Sequence, residues 1–141
     1  MTMGHSEIIF AMVLAVLLGG VVGYQRQQRG KAAGIRTHAL VTLGSTLFTI
    51  LSRFGFGFET GTDPSRVAAQ IVVGIGFLGA GMILHQKDRV VGLTTAAGLW
   101  AAAALGMTIG VGWYRIAGIA TLFMLAILLL NDRWARHDPE K

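Results

Sequence analysis

The chain has 141 residues, 53% of them hydrophobic and only 13% charged, with twelve basic side chains, seven acidic ones and no cysteine. Its charged share is about half that of an ordinary soluble domain, which argues against a water-soluble globule, and the missing cysteines exclude disulfides, thiolate metal sites and cysteine nucleophiles. The net charge of +5 lies between apolar runs, so it reads as topological charge facing anionic lipid and not as a nucleic-acid surface.

Five apolar stretches follow in chain order. Ile8–Tyr24 carries no charge; its leader, MTMGHSE, has no lysine or arginine and no small-residue cleavage pattern follows, so it reads as a retained span and not a signal peptide. The second run starts at His38 and passes Leu51 with hydroxyls but no charge. The third, Val67–Leu84, has Gln70 as its one strongly polar side chain. Val90–Trp113 is uncharged, and Ile116–Leu130 closes the set. The second and fifth runs are short for a helix that must cross lipid, and reach the length by adding Arg53 and Arg115, whose stems can lie along apolar surface. The expected fold is therefore all-α and polytopic, with five transmembrane helices at about 8–24, 38–54, 67–84, 91–111 and 114–132 in one domain.

Charge sets the orientation. Arg26, Arg29, Lys31, Arg36, Lys87, Arg89, Arg133, Arg136 and Lys141 fall on one side of a five-span arrangement, and only Arg53, Arg66 and Arg115 on the other. The positive-inside rule then puts the N-terminus outside and the C-terminus in the cytoplasm. Trp113, Tyr114 and Trp134 bracket the last span as an interfacial belt would. GIRT (34–37) and GLTT (92–95) each open a span that leaves the cytoplasmic side, a weak internal echo.

Residues 74–81, GIGFLGAG, contain the glycine spacing of a dinucleotide loop. Such a loop must follow a strand, open a helix and be answered by an acidic residue about 20 positions on. Here the glycines sit inside an apolar run, and positions 94–99 hold no carboxylate. Gly74, Gly76, Gly79 and Gly81 are read instead as helix-packing positions, where missing side chains let backbones approach.

Three ordered segments carry a resemblance. RGKAAGIRTHALVTLGS (29–45), DPSRVAAQIVVGIGFLGAGMIL (63–84) and VVGLTTAAGLWAAAALG (90–106) closely resemble the MgtC/SapB membrane domain over nearly the whole chain. The resemblance implies a five-span bacterial inner-membrane protein tied to magnesium limitation and virulence. It also implies action by restraining the F-type ATP synthase, not by carrying magnesium. The family's G-x-E-R-E after the first span is replaced by Gly23, Tyr24, Gln25, Arg26 and Gln27. The chain also ends soon after the last span, so it resembles a membrane-only version without the family's soluble C-terminal domain.

The candidate functional polar residues are Arg36 and Thr37, which match the family's G-L-R-T, then Asp63, Arg66, Gln70, Thr94 and Thr95. Asp63 is expected to cap a helix that Pro64 opens. Arg66 and Gln70 share a face at i,i+4 spacing. Gln70 inside a span needs a partner, for which Thr42, Ser45, Thr46 and Thr49 are candidates. Thr94 and Thr95 are expected to cap the fourth span. His85, Lys87 and Asp88 make a turn with too few ligands for a metal. No carboxylate lies within an apolar run, no nucleophile–base pair appears, and neither an enzyme nor a cofactor or metal site is expected. The expected partners are the bilayer, further copies of the chain and a membrane complex such as the F-type ATP synthase. The rival reading is a small channel or transporter for magnesium or another cation.

Overall fold

The computed structural model describes residues 3–55, 63–86 and 89–134. Within them lie five helices: α1 (His5–Gln28), α2 (Ile35–Ile50), α3 (Ser65–Gly81), α4 (Leu93–Gly110) and α5 (Tyr114–Trp134). α2 continues into one π-type turn, Leu51–Gly55. The all-α expectation holds, with one short hairpin added to the helices. Leu84–Gln86 (β1) and Arg89–Val91 (β2) pair antiparallel, with Leu84 opposite Val91 and Gln86 opposite Arg89. The fourth apolar run thus begins as a strand, where β-branched Val90 and Val91 suit extended backbone. Gly92 then turns the chain at φ 94° before α4 starts. Lys87, Asp88, Arg136 and Lys141, named above for the basic side and the turn, lie outside the described residues.

The helix ends explain the reversals. At the end of α1, Gly30 takes φ 63°, its amide donates to the Gln27 carbonyl at 3.0 Å, and the Lys31 amide donates to the Arg26 carbonyl at 3.1 Å. That is a Schellman stop, which a left-handed glycine allows at no steric cost. α4 ends the same way. Gly112 sits at φ 85°, with its amide on the Ile109 carbonyl at 2.9 Å and the Trp113 amide on Thr108 at 3.1 Å. α5 follows at once.

The helices alternate in direction. The C-terminal ends of α1, α3 and α5 meet the N-terminal ends of α2 and α4: Gln27 reaches Ile35, Arg26 reaches Thr95, Gln25 reaches Leu128, and Gly92 abuts Met82. At the opposite end the Ser52 hydroxyl donates to the Pro64 carbonyl at 2.9 Å. There too Arg53 Nη1 donates to the Val111 carbonyl at 3.0 Å, a cation at the negative end of α4. Phe10 and Tyr114 pack edge to face, centroids 5.1 Å apart, and tie α1 to α5.

α2 sits between α1 and α4, α3 leans on α4 and touches α2, and α5 closes against α4 and α1. Small residues dominate the interior: Ala11, Ala15, Ala102 and Ala117 are fully buried. The outside is apolar, with Phe77 82%, Leu130 69%, Val73 68% and Leu122 68% exposed. Water would not tolerate so continuous an apolar surface on a single chain, whereas lipid would. His5–Gln28 and Leu93–Gly110 are long and apolar enough to cross a membrane, and Ser65–Gly81 and Tyr114–Leu130 are shorter apolar helices.

Candidate functional site

Three consecutive residues at the end of α1 bind three other helices. Gln25 Nε2 donates to the Leu128 carbonyl of α5 at 3.5 Å. Arg26 Nη2 donates to Thr95 Oγ1 of α4 at 3.1 Å, and Gln27 Oε1 accepts the Ile35 amide of α2 at 3.4 Å. The helical advance of about 100° per residue points successive side chains in different directions, so one short stretch can tie a bundle end together. Arg26 is only 4% exposed. A guanidinium at that depth is costly to bury without hydrogen bonds, which makes it a positioned group and not a surface charge.

Beside it lies a cavity of about 270 Å³. Arg26, Lys31, Thr94 and Thr95 give it polar walls, with Leu93 and Leu128 as apolar ones. The expectation that Thr94 and Thr95 cap α4 is corrected: the N-cap is Gly92, with no side-chain cap bond. Thr95 is buried as the acceptor for Arg26, and Thr94 is exposed at the cavity. The strand that precedes Gly92 moves the start of the helix, so the threonines fall within its first turn.

From this end a polar seam runs along α2. His38 is fully buried, and its Nδ1 lies 3.1 Å from the Gly34 carbonyl. That acceptor assigns the ring proton to Nδ1 and leaves Nε2 a bare acceptor, with no partner among the described residues, facing Gly98 of α4. Thr42 Oγ1 reaches the carbonyls of His38 at 2.9 Å and Ala102 at 3.3 Å. Thr46 Oγ1 reaches those of Thr42 and Gly106, both at 2.9 Å. Glycines on both neighbours permit this closeness. A Cβ on Gly19 would stand 2.9 Å from the His38 carbonyl oxygen, and one on Gly110 2.8 Å from that of Thr46. Gly23 and Gly106 likewise abut the backbone at Gly34 and Thr42.

The residues singled out from sequence scatter by comparison. Arg36 is exposed on the first turn of α2, with Thr37 half-buried beside it. Asp63 Oδ1 accepts the Ser65 amide at 2.8 Å, but the N-cap of α3 is Pro64 and not Asp63 as expected, so the carboxylate bonds the first helical amide from one residue further out; Arg66 is exposed in the first turn of α3. Gln70 is exposed and makes no hydrogen bond among the described residues. Of its four proposed partners, Thr42, Thr46 and Thr49 bond to backbone carbonyls instead, while Ser45 shares with Gln70 an apolar groove of about 540 Å³ between α2 and α3. Of the four α3 glycines, Gly79 packs on Ala96 of α4, where an added Cβ would lie 3.6 Å from the alanine methyl. Among the described residues, Gly74, Gly76 and Gly81 meet nothing within 4 Å, so they pack against no other helix there. Sequence reasoning missed Gly19, Gly23, Gly106, Gly110 and His38. The repeated four-residue glycine spacing and the stripe Thr42, Ser45, Thr46, Thr49 were the available signals.

Residues 12–137 match the MgtC family. This chain belongs to that family. Among its relatives, the Escherichia coli (strain K12) protein named "Putative magnesium transporter YhiD" is 47% identical over 87% of this chain and 60% of its own. The Brucella abortus "Protein MgtC" is 48% identical over 80% of this chain and 46% of its own. The Salmonella typhimurium "Protein MgtC" is 44% identical over 88% and 52%. The MgtC-family segment thus spans about half of the curated relatives it matches, and no solved structure matches it.

Proposed function

We propose that this MgtC-family chain is a multi-pass protein of the bacterial inner membrane that regulates by helix association under magnesium limitation. The associating surface is another copy of the chain or a membrane complex such as the F-type ATP synthase. All five helices then cross the bilayer with the N-terminus outside. The end carrying Arg26, Arg29, Lys31 and Arg36 faces the cytoplasm, as the positive-inside rule asks. No catalytic role, cofactor or resident metal forms part of this reading.

The open face of α3 carries it. Each glycine in a helix interior costs about 1 kcal/mol relative to alanine, and of the α3 glycines only Gly79 gains a neighbouring helix in return among the described residues. A partner helix seated on Gly74 and Gly76 would offset that cost through close backbone contact. The buried seam supports the same view. Its threonine hydroxyls are engaged by helix carbonyls and so are not presented as ligands to a passing cation. The test is site-specific photocrosslinking from Val73 in native membranes at low and high magnesium. A discrete crosslinked species that disappears in Gly76→Leu supports the reading; a species that survives this substitution unchanged overturns it.

A second reading, a small channel or transporter for magnesium or another cation, is favoured by the description YhiD carries. Gln70 and Ser45 would line its path along the α2–α3 groove. Magnesium flux into liposomes that Gln70→Leu abolishes would establish it.

A further inference from the structure

We infer that the cavity at the basic end of the bundle binds a phosphate group, either a free phosphate or the headgroup of an anionic phospholipid. The inference stands on the cavity wall and is independent of the helix-association reading.

Hydrogen-bond donors converge on this space from two separate parts of the chain. Arg26 comes from the last turn of α1, Lys31 from the connection that follows, and Thr94 and Thr95 from the first turn of α4. Arg26 is nine-tenths buried and held by Thr95, so its planar fork is oriented before any ligand arrives. A preorganised guanidinium recognises phosphate oxygens through paired N–H donors, while lysine adds a mobile point charge. Thr95 is itself buried and accepts from Arg26, and among the described residues its hydroxyl hydrogen has no acceptor. That hydrogen is available to an oxygen in the cavity. Thr94, exposed at the wall, offers a second hydroxyl.

Size narrows the ligand. At about 270 Å³ the space suits a compact group such as a phosphate, with any larger remainder of the ligand lying outside it. The apolar sides, Leu93 and Leu128, would lie against the glycerol or upper acyl carbons if the phosphate belongs to a lipid. The position at a bundle end, where basic side chains gather, is also where headgroups would lie.

The test uses the full chain in neutral detergent, titrated calorimetrically with inorganic phosphate at constant ionic strength. In parallel, the chain is reconstituted in phosphatidylcholine nanodiscs with and without phosphatidylglycerol, and thermal unfolding is followed. The expected result is saturable binding in the first arm, or a raised unfolding temperature with phosphatidylglycerol in the second. Either signal should weaken at least about tenfold in Lys31→Glu, an exposed substitution that spares the fold, and stay unchanged in Arg115→Glu at the opposite end. Arg26→Gln should weaken it as well, with helicity checked by circular dichroism. A signal confined to the first arm identifies free phosphate, and one confined to the second a headgroup. Absence of a signal in both arms, or equal loss in Lys31→Glu and Arg115→Glu, would overturn the inference. Neither outcome alters the Val73 crosslinking readout, so the two proposals fail separately.

Discussion

Thr46 Oγ1 of α2 lies 2.9 Å from the carbonyl oxygen of Gly106 on α4, a contact that exists because Gly106 has no Cβ. An added methyl there would press on the Thr42 carbonyl and stand 2.8 Å from the Ser45 Cβ. Backbone cannot step aside as a flexible side chain can. Gly106→Ala should therefore destabilise the bundle by about 1–3 kcal/mol, the range for overpacking a filled interior. Gly74→Ala, with open space at its Cβ, should be neutral or stabilise by up to about 1 kcal/mol through helix propensity. Reversible unfolding in mixed micelles separates the two.

That contrast also shows what could be read in advance. The apolar runs disclosed the five helices because length and hydrophobicity are local properties. Which face of each helix looks inward was not local. In α1 and α4 apolar residues surround the axis, and an exposed valine such as Val16 cannot be told by polarity from a buried one such as Val22. The dense glycines of α3 stand out in the sequence because their spacing imitates a cofactor loop. The glycines that pack inside the chain, at 19, 23, 106 and 110, are sparser and spaced by four. The Arg26–Thr95 contact joins positions 69 apart and left no trace in any single window. Asp63 was readable as a partner for the start of α3, though the N-cap itself is Pro64, because such a bond depends on the next few residues alone.

The seam hydroxyls differ in worth. Thr46 bridges two helices, whereas Thr108 only returns a hydrogen bond to the Ala104 carbonyl of its own helix at 2.9 Å. Thr46→Val keeps the shape and removes the bridge, and should cost about 0.6 kcal/mol, the usual worth of an interhelical hydrogen bond in a membrane protein. Thr108→Val should cost less. Unfolding of the two single variants and the wild type measures the difference directly.

Gly92 joins the hairpin to α4 at φ 94°, with the Met82 carbonyl against the place a Cβ would occupy. Gly92→Ala meets both a disfavoured backbone conformation and a steric overlap, and should cost about 2 kcal/mol or more. Gly112, at φ 85° with open space around it, carries only the conformational part. Gly112→Ala should therefore be the milder variant. Limited proteolysis of the segment between α3 and α4 should accelerate in Gly92→Ala alone.

Asp63 gives a pH dependence with a definite sign. Its hydrogen bonds from the Ser65 hydroxyl and amide, aided by nearby Arg66, hold its carboxyl below the ordinary 3.8 despite full exposure. The folded chain thus binds this proton more weakly than the unfolded chain does. The carboxylate's contribution is complete above the ordinary aspartate value and is lost as pH falls through the lowered folded value. Hydrogen exchange at the Ser65 amide, which donates to the Asp63 carboxylate, compared with the intrinsic rate at each pH, should show protection that fades only in that acid range. Asp63→Asn retains an acceptor oxygen and should keep most of the protection with no acid transition. Asp63→Ala should lose it at every pH, and protection that survives in Asp63→Ala would mean that Pro64 and the helix itself, not the carboxylate, hold the start of α3.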